Sequence, residues 1–487
     1  MNSKRSYNLY AAITPSLEPL LKKELLNLLL KKNNIINSTS INTNTDLKDN
    51  KNNNNNNNKN SKNNNNSNNN NNVELNIDIK LDKGGVECSG LSPEQLWTIA
   101  HHSRLSESLR VRLGQPFRSV NFNMLKSSLK DLPWGNFYRV TEHTLPECSV
   151  SCSHSALYHS NAVKDRILDH FQKNVIFTKK PILVNNNGDN SNNNNNNNIS
   201  SSSNHSKIYV RLIDDMMQVS VDVGDSMHKR TPNKHVTDAP IRETLAAALL
   251  MSAGLLPQSD VNIWDPFMGS GTILQEALAM AIGGRATPPE RYFSFQSWPL
   301  HRDDKYNNFI ARINQEQLQL QKTFQQTIST HTSNFRLYGS DIDQRAIDAT
   351  KHNIYNQFKF LENINDSNNN NNFIQLLHGD FKVIETKIKE QLQQDKQQQQ
   401  HQHQQKLTII TNLPYGERIM TSNKNISDGL KSTFISFGKM IRESNIIKDV
   451  YVLNGHPKFI ELSGVQWLSI LKFTNGGLPV EFLKMKR

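Results

Sequence analysis

The second half of the chain alternates strand-like runs with amphipathic helices, joined by short polar or glycine-containing turns. The clearest examples are a strand, turn and helix at residues 261–283 and again at 334–354, and a strand and turn at 373–381. This alternation predicts parallel strands, because each parallel pair needs a crossover connection that a helix commonly supplies. We therefore expect a doubly wound α/β sheet in this half, with ligands bound beyond the carboxyl ends of its strands.

The first half has a different, mixed order of elements. Residues 73–90 alternate apolar and polar side chains as a half-buried strand does, and residues 92–105 open with Ser92 and Pro93, a strong helix start. Helices here return to a sheet that need not be parallel. We therefore predict an α+β module over residues 1–225.

Tracts of asparagine and glutamine interrupt both halves. They are too poor in apolar side chains to offset the entropy lost on ordering, so we predict disordered insertions there. The insertions are placed at residues 31–72, 185–206, 364–372 and 391–405.

Charge and cysteine content narrow the possible partners. The formal charge is +12, which fits a polyanionic partner without identifying one. The three cysteines, Cys88, Cys148 and Cys152, form no CxxC pair, so we expect reduced thiols and no metal site. No apolar run is long enough to span a bilayer, so no membrane association is expected.

The first chemistry-bearing turn is "DPFMGSGT", residues 265–272. Its glycines let the backbone turn tightly and approach a ligand. The lysine of a P-loop, the third glycine of a dinucleotide fingerprint and the spacing of a nucleophile elbow are all missing. A nucleotide-like ligand such as S-adenosylmethionine fits, and its amino group would suit Asp265. The candidate cofactor residues of this turn are Asp265, Pro266, Gly269, Gly271 and Thr272.

Two acidic turns follow further along the chain. In "GSDID", Asp341 is placed to accept hydrogen bonds from ribose hydroxyls. In "GDF", Asp380 offers an acceptor for an adenine amino group, and Phe381 offers an apolar wall. Each turn alone is weak evidence for a cofactor site. Together the turns are stronger evidence, because each follows a successive strand of the predicted sheet.

The fourth turn, "NLPYGERI", follows the strand-like run that starts at Leu407. Asn412 could accept a hydrogen bond from an exocyclic amine, and Pro414 favours an extended Leu413 whose carbonyl could be a second acceptor. Tyr415 offers a ring on which a base can stack. An ordinary Asn-Pro turn is the alternative.

Taken with residues 227–250 and 473–487, these four turns resemble the THUMP-domain RNA guanine-N2 methyltransferases, which include the bacterial large-subunit ribosomal RNA enzyme. The resemblance implies a class I, Rossmann-like methyltransferase domain at residues 238–487 and S-adenosylmethionine as cofactor. It also implies a ferredoxin-like region at residues 1–99, a THUMP RNA-binding domain at 100–225 and a linker at 226–237.

The resemblance also implies roles for individual residues. Pro240 and Thr244 would lie near the carboxylate of the cofactor, and Asn412, Pro414 and Tyr415 would hold the target guanine. The family usually has Asn-Pro-Pro-Tyr in the fourth turn, whereas this chain has a leucine at position 413. The Leu413 carbonyl would still be available as the second acceptor.

RNA is the expected partner, with ribosomal RNA favoured over transfer RNA. Basic side chains of the first half are the expected phosphate contacts, namely Arg104, Arg110, Arg112 and Arg118. The alternatives are a transfer RNA guanine-N2 methyltransferase, an adenine-N6 methyltransferase and a non-catalytic RNA-binding or assembly protein. The cytoplasm is the expected location, with the nucleolus and mitochondrion as alternatives, and the oligomeric state is not predicted.

Overall fold

The structure is a computed structural model. It describes residues 6–39, 77–138, 145–174, 206–224, 226–231, 233–237, 240–255, 261–329, 335–361, 373–398, 406–414 and 426–487. Among these residues, no helix combines the length and apolar character needed to cross a membrane. Nor do the described side chains bring together three histidine, cysteine or acidic groups that could hold a metal ion.

The first half contains a mixed sheet with four helices against it. Its elements are β1 (Tyr7–Ala12), α1 (Glu18–Thr39), β2 (Asp78–Asp82), β3 (Gly85–Leu91), α2 (Pro93–His102), β4 (Ser108–Arg112), β5 (Phe117–Arg118), α3 (Phe122–Lys130), β6 (Cys148–Ser153), α4 (Ser160–Asn174), β7 (Ile208–Ile213) and β8 (Met216–Gly224). The strand order is β2-β3-β1-β4-β8-β7-β6, and β5 pairs with β8. All of these pairs are antiparallel except β6 with β7.

Local sequence explains where α2 begins. The Ser92 hydroxyl accepts a hydrogen bond from the backbone of Gln95, the Gln95 side chain accepts one from the backbone of Ser92, and Pro93 occupies the first turn. This capping box satisfies two backbone donors that a helix start otherwise leaves open. The predicted helix start at Ser92 and Pro93 is confirmed.

The second half is an α/β layer structure. Its elements are α5 (Glu243–Ser252), β9 (Asn262–Asp265), α6 (Thr272–Ile282), α7 (Asp303–Ser329), β10 (Arg336–Asp341), α8 (Gln344–Gln357), β11 (Ile374–His378), α9 (Phe381–Gln398), β12 (Leu407–Asn412), α10 (Asp428–Glu443), β13 (Ile447–Asn454), α11 (Phe459–Ser463), β14 (Trp467–Asn475) and β15 (Leu478–Met485). The strand order is β11-β10-β9-β12-β13-β15-β14. The first five strands run parallel, and β15 is antiparallel to both of its neighbours.

The chain order of the strands reverses between β9 and β12. From β9 the sheet grows through β10 to β11 on one side, and through β12 to β13 on the other. In open α/β sheets, the crevice at such a switch point is where ligands bind, outside the carboxyl ends of the strands. The topology therefore selects one edge of the sheet for the candidate site.

The two halves share one continuous hydrophobic core. Trp97 on α2 meets Tyr306 and Phe309 on α7 at ring-centroid distances of 5.3 and 5.7 Å. His101 hydrogen-bonds the Tyr306 hydroxyl through Nε2 at 2.9 Å, and its carbonyl accepts from the Ala286 backbone. The first module is therefore packed directly onto α7 and the segment that precedes it.

A buried charge cluster lies at the same junction. Glu276 on α6 accepts from Arg230 at 2.8 Å and from Arg104 at 3.4 Å through Oε2. Arg104 also donates to the Ala279 carbonyl at 3.0 Å, and Arg230 donates to the Arg104 carbonyl. These three charged side chains are almost fully buried, so the cluster joins the first module to the helix that follows β9.

Several predicted boundaries need correction. The boundary between residues 99 and 100 falls inside α2, and β1 and β4 from its two sides pair in one sheet. The predicted insertion at 31–72 begins inside α1, and that at 391–405 overlaps α9 as far as residue 398. In both cases an amphipathic helix continues into the polar tract.

Residues 226–237 were predicted to be a linker, but the described residues of this segment are packed against the rest of the protein. Met227 is fully buried and donates from its backbone to Glu107, and Arg230 is 2% exposed. This segment is packed against both halves.

Neutralising Glu276 should destabilise the protein strongly. Glu276→Gln removes the carboxylate that two buried guanidinium groups contact, so we expect a loss of about 3–5 kcal/mol in the free energy of unfolding. Denaturant titration measures the loss. The matched control is Glu94→Gln, because Glu94 forms an exposed 2.5 Å pair with Arg312 between the same two halves. That change should cost less than about 1 kcal/mol, and equal losses in both variants would contradict the prediction.

Candidate active site

Four turns meet at the carboxyl edge of the parallel strands. β9 ends at Asp265, β10 at Asp341, β12 at Asn412, and Asp380 lies two residues after the end of β11. Because β10 and β12 flank β9 and run parallel to it, their ends face the same side of the sheet. The structure brings together the predicted cofactor turns and the predicted amine-binding turn.

The first turn is held closed by its own backbone and by α8. Gly269 and Gly271 have φ angles of +53° and +75°, a region that side chains rarely adopt. A Cβ on Gly271 would lie 2.4 Å from the Thr350 side chain, so only glycine fits there. Thr350 donates to the Gly269 carbonyl at 3.0 Å, and Asn353 donates to the Ser270 carbonyl at 3.0 Å.

Residues 230–231 and 233–237 cover the outside of this turn, and we name them the strap. Lys234 donates to Thr272 at 2.9 Å and to Glu243 at 2.7 Å. The backbone of His235 exchanges two 2.8 Å hydrogen bonds with the Asn353 side chain. The predicted cofactor residue Thr272 is therefore 2% exposed and engaged by the strap.

Asp265 is the most buried acidic group of the site, at 1% exposure. Its Oδ1 accepts from the Thr411 hydroxyl at 2.6 Å and from the Phe267 backbone at 3.2 Å. Burial raises the pKa of Asp265 to about 7, and the negative charge of Asp341 adds to the rise. The two hydrogen bonds act in the opposite direction, because they favour the ionised form.

Asp341 connects the second turn to the first. Its Oδ2 accepts from the Gly269 backbone at 3.0 Å and its Oδ1 from the Asp343 backbone at 3.0 Å. The next residue, Ile342, exposes 74% of its surface at this edge. An exposed apolar side chain beside an acidic strand end is suited to cover an adenine ring. Sequence reasoning missed Ile342, although its position between two aspartates was a usable signal.

The third turn is only partly as predicted. Asp380 accepts from the Lys382 backbone at 2.9 Å and remains partly exposed, whereas Phe381 is 7% exposed. The Phe381 ring packs against Phe267 and Phe437, with centroid distances of 5.4 and 5.9 Å. It is therefore mainly a core residue, and the more open ring is that of Phe267.

The remaining predicted cofactor residues lie near the start of α5 and beside the first turn. Pro266 is buried behind Asp265, and Pro240 is exposed before α5. Thr244 in the first turn of α5 is 3% exposed, and its hydroxyl has no hydrogen-bond partner. A buried hydroxyl without a partner is costly, so a ligand group that binds it would be favoured. This observation fits a polar end of the cofactor.

At the fourth turn, Asn412 ends β12 and is partly exposed, and Pro414 is exposed. The Leu413 side chain is 1% exposed within the core formed by β12, β13 and α10, and its backbone donates to the Leu453 carbonyl at 3.2 Å. Tyr415, predicted as the stacking ring, lies outside the described residues.

The predicted RNA contacts divide into two groups. Arg104 is 6% exposed in the charge cluster around Glu276, which contradicts its predicted contact with RNA. Arg112 is a second correction, because its side chain is 8% exposed, lies over the Tyr10 ring and pairs with Asp82 and Glu87.

The other two arginines are more accessible. Arg110 lies 3.8 Å over the Tyr209 ring and is partly exposed, and Arg118 is exposed. Both remain candidates for contacts with phosphate.

Cofactor affinity should increase with pH up to about 7 and then level off. An ionised Asp265 would attract the ammonium group of S-adenosylmethionine, whereas below its pKa of about 7 binding would first have to release a proton. That requirement costs up to about tenfold in Kd per pH unit. Calorimetric titration across this range measures the slope, and Asp265→Asn should abolish it.

The same ionisation affects the free energy of unfolding. An unfolded aspartate titrates near 3.9, so between about pH 4 and 7 the native protein keeps a proton that the unfolded chain has lost. The contribution of Asp265 to stability therefore falls as pH rises through this window and is constant above it. Asp265→Asn should remove this fall, and identical pH profiles for the two proteins would contradict the assignment.

Comparison with known proteins places the chain in a family. Residues 230–388 match the UPF0020 model, described as RMKL-like, methyltransferase domain. A putative uncharacterized protein of Dictyostelium discoideum is 30% identical, over 80% of this chain and 89% of its own length.

Two further relatives have named activities. A putative RNA methyltransferase of Synechocystis is 25% identical over 75% of this chain and 80% of its own length. The ribosomal RNA large subunit methyltransferase K/L of Acinetobacter baumannii is 26% identical over 53% of this chain. That match spans only 30% of the bacterial enzyme's length.

Solved structures agree on the fold. A possible methylase from Clostridium difficile superposes with a TM-score of 0.63 at 19% identity, covering 99% of this chain and 98% of its own. A putative methyltransferase complexed with SAH gives 0.61 at 18% identity, with full coverage of both chains. The predicted class I methyltransferase fold after an N-terminal module is confirmed, and so, at the level of the family, is S-adenosylmethionine as cofactor. On these grounds the chain belongs to the UPF0020 family of RMKL-like methyltransferases.

Proposed function

We propose that this protein is an S-adenosylmethionine-dependent RNA methyltransferase that modifies the exocyclic N2 of guanine, with large-subunit ribosomal RNA as substrate. The observation that carries the proposal is the position of Asn412. It ends β12, the strand next to β9, and the residue before it hydrogen-bonds Asp265 in the cofactor turn. An amide acceptor is thus adjacent to the place where a methyl donor would bind.

The chemistry follows from that placement. The cofactor supplies an electrophilic methyl group when bound. The lone pair of an exocyclic amine is delocalised into the base, so the amine is a poor nucleophile until its hydrogens are held out of the ring plane. The side-chain oxygen of Asn412 and the carbonyl of Leu413 can accept those hydrogens. In the displacement, the N–C bond would form as the S–CH3 bond breaks, the thioether would leave, and the amine proton would pass to solvent; the rate would depend mainly on the alignment of nitrogen and methyl carbon.

The first module is proposed to be the THUMP-type RNA grip. Two relatives with named activities act on RNA by name, one of them on ribosomal RNA. In this chain, the exposed Arg118 and the stacked pair of Arg110 and Tyr209 offer charge and an aromatic face on that module. Arginine over a ring is suited to contacts with both phosphate and base.

Nucleoside mass spectrometry identifies the product. RNA fractions from cells with and without the gene should differ in N2-methylguanosine, and the difference should reside in large-subunit ribosomal RNA. A difference in transfer RNA would reassign the substrate. A difference in N6-methyladenosine would reassign the base, and no difference in any fraction would refute the enzyme assignment.

Asn412→Ala should separate chemistry from cofactor binding. We expect methyl transfer to fall roughly 100-fold or more, because a hydrogen bond made at the reacting group is lost. The Kd for S-adenosylmethionine should change less than about threefold. The matched control is Asn475→Ala at the end of β14, which should retain full activity. Retained transfer in the Asn412 variant would refute its role.

Arg118→Ala should weaken RNA binding and reduce its dependence on salt. Loss of one phosphate contact lowers the slope of log K against log salt by about 1. Filter binding or fluorescence anisotropy at several salt concentrations gives the slope. The control is Arg302→Ala, since Arg302 is already paired with Asp304 on the surface of the second half. If both variants bind like the parent protein, the RNA lies elsewhere.

A further inference from the structure

The hydrogen bond between Thr411 and Asp265 joins two places that the proposed reaction must bring together. Thr411 is 0% exposed and Asp265 is 1% exposed, and their side-chain oxygens are 2.6 Å apart. Asp265 ends β9 at the cofactor turn, while Thr411 immediately precedes Asn412. No signal in the sequence singled out Thr411.

The surrounding backbone makes this bond important. The β9–β12 register runs over three pairs, from Leu407 with Asn262 to Ile409 with Trp264. Beyond Ile409, β12 continues to pair with β13 on its other side as far as Asn412. The two strands therefore part at the switch point, and the Thr411 side chain bridges the gap two residues beyond the last rung. The bridge thus connects the end of β9 at the cofactor turn with the end of β12 that carries Asn412.

Each element around Asp265 contributes a different influence. β10 contributes the negative charge of Asp341, the turn contributes the Phe267 backbone donor, and β12 contributes the neutral hydroxyl of Thr411. The hydroxyl stabilises the ionised carboxylate, which is the form that an ammonium group would contact. Thr411 thus acts on the charge of one turn and on the position of the next.

We infer that Thr411 is a positioning residue that couples cofactor binding at Asp265 to the placement of Asn412 against the target amine. The inference rests on the proposed function for its second half. Its first half concerns Asp265 and the cofactor alone, and it can be tested without RNA.

The test compares Thr411→Val, which keeps the shape but removes the hydroxyl, with Thr411→Ser, which keeps the hydroxyl. In the valine variant, the pH midpoint for binding S-adenosylmethionine, measured by calorimetry, should move upward. The pH window over which unfolding free energy falls should extend upward with it. The serine variant should return both midpoints to within about 0.3 pH units of the parent, a twofold change in the ionisation constant.

Turnover gives the second readout. With saturating cofactor at a pH above both midpoints, kcat of the valine variant should fall about tenfold or more while KM for RNA stays within about twofold. The serine variant should recover kcat. Unchanged midpoints in a folded valine variant would overturn the inference, as would shifts of equal size in both variants.

Failure of the proposed function gives a different result. If the parent protein methylates no RNA while the midpoint still moves in the valine variant, the proposed substrate is wrong and the Thr411–Asp265 coupling stands. If the valine variant does not fold, the serine variant decides. A serine variant whose pH midpoints and kcat are near those of the parent supports the inference. A large loss of kcat in the serine variant, which keeps the hydroxyl, overturns it.

Discussion

Glu276 accepts two buried arginine side chains, and the arrangement of the two halves depends on that balance of charge. One guanidinium comes from the first module and the other from the strap, and both are almost fully buried. Removing an ion from water costs several kcal/mol, and the contacts of Glu276 with both guanidinium groups offset part of that cost. Since Glu276 lies in the second turn of α6, the helix that follows the cofactor turn is held directly by the first module.

The strap extends the same principle to the cofactor turn. From Arg230 it continues to Lys234, whose ammonium group bridges the first residue of α6 and Glu243 near the start of α5. His235 then exchanges backbone hydrogen bonds with Asn353 on α8, which also binds the Ser270 carbonyl. The strap therefore supports the glycine turn from outside. It does not cover the inner face of the turn, which points toward the switch point. A rigid turn of this kind reduces the ordering cost of ligand binding.

The sequence predicted the parts of the structure that depend on local pattern. Alternating strands and helices gave the α/β class of the second half, and the order of acidic and amide turns indicated one shared edge. Interactions between distant residues were not predictable in the same way. Arg104 and Arg118 look alike in a basic stretch, yet one is buried against a helix 172 residues away and the other is exposed. Polar composition misled at residue 391, because helix α9 continues into the polar tract as far as Gln398.

Leu413 gives the departure from the family's Asn-Pro-Pro-Tyr pattern a physical meaning. A proline at this position would have no backbone donor, whereas Leu413 donates to the Leu453 carbonyl and its side chain packs into the core. This hydrogen bond secures the last pair of the β12–β13 ladder, Asn412 with Leu453. A proline ring at position 413 would restrict the backbone φ angle. In this chain, the hydrogen bond to β13 and the buried Leu413 side chain restrict the backbone instead. The positions of Asn412 and Leu413 thus depend on how well β13 and α10 are packed, so core substitutions far from the cofactor turn would alter the proposed amine acceptors.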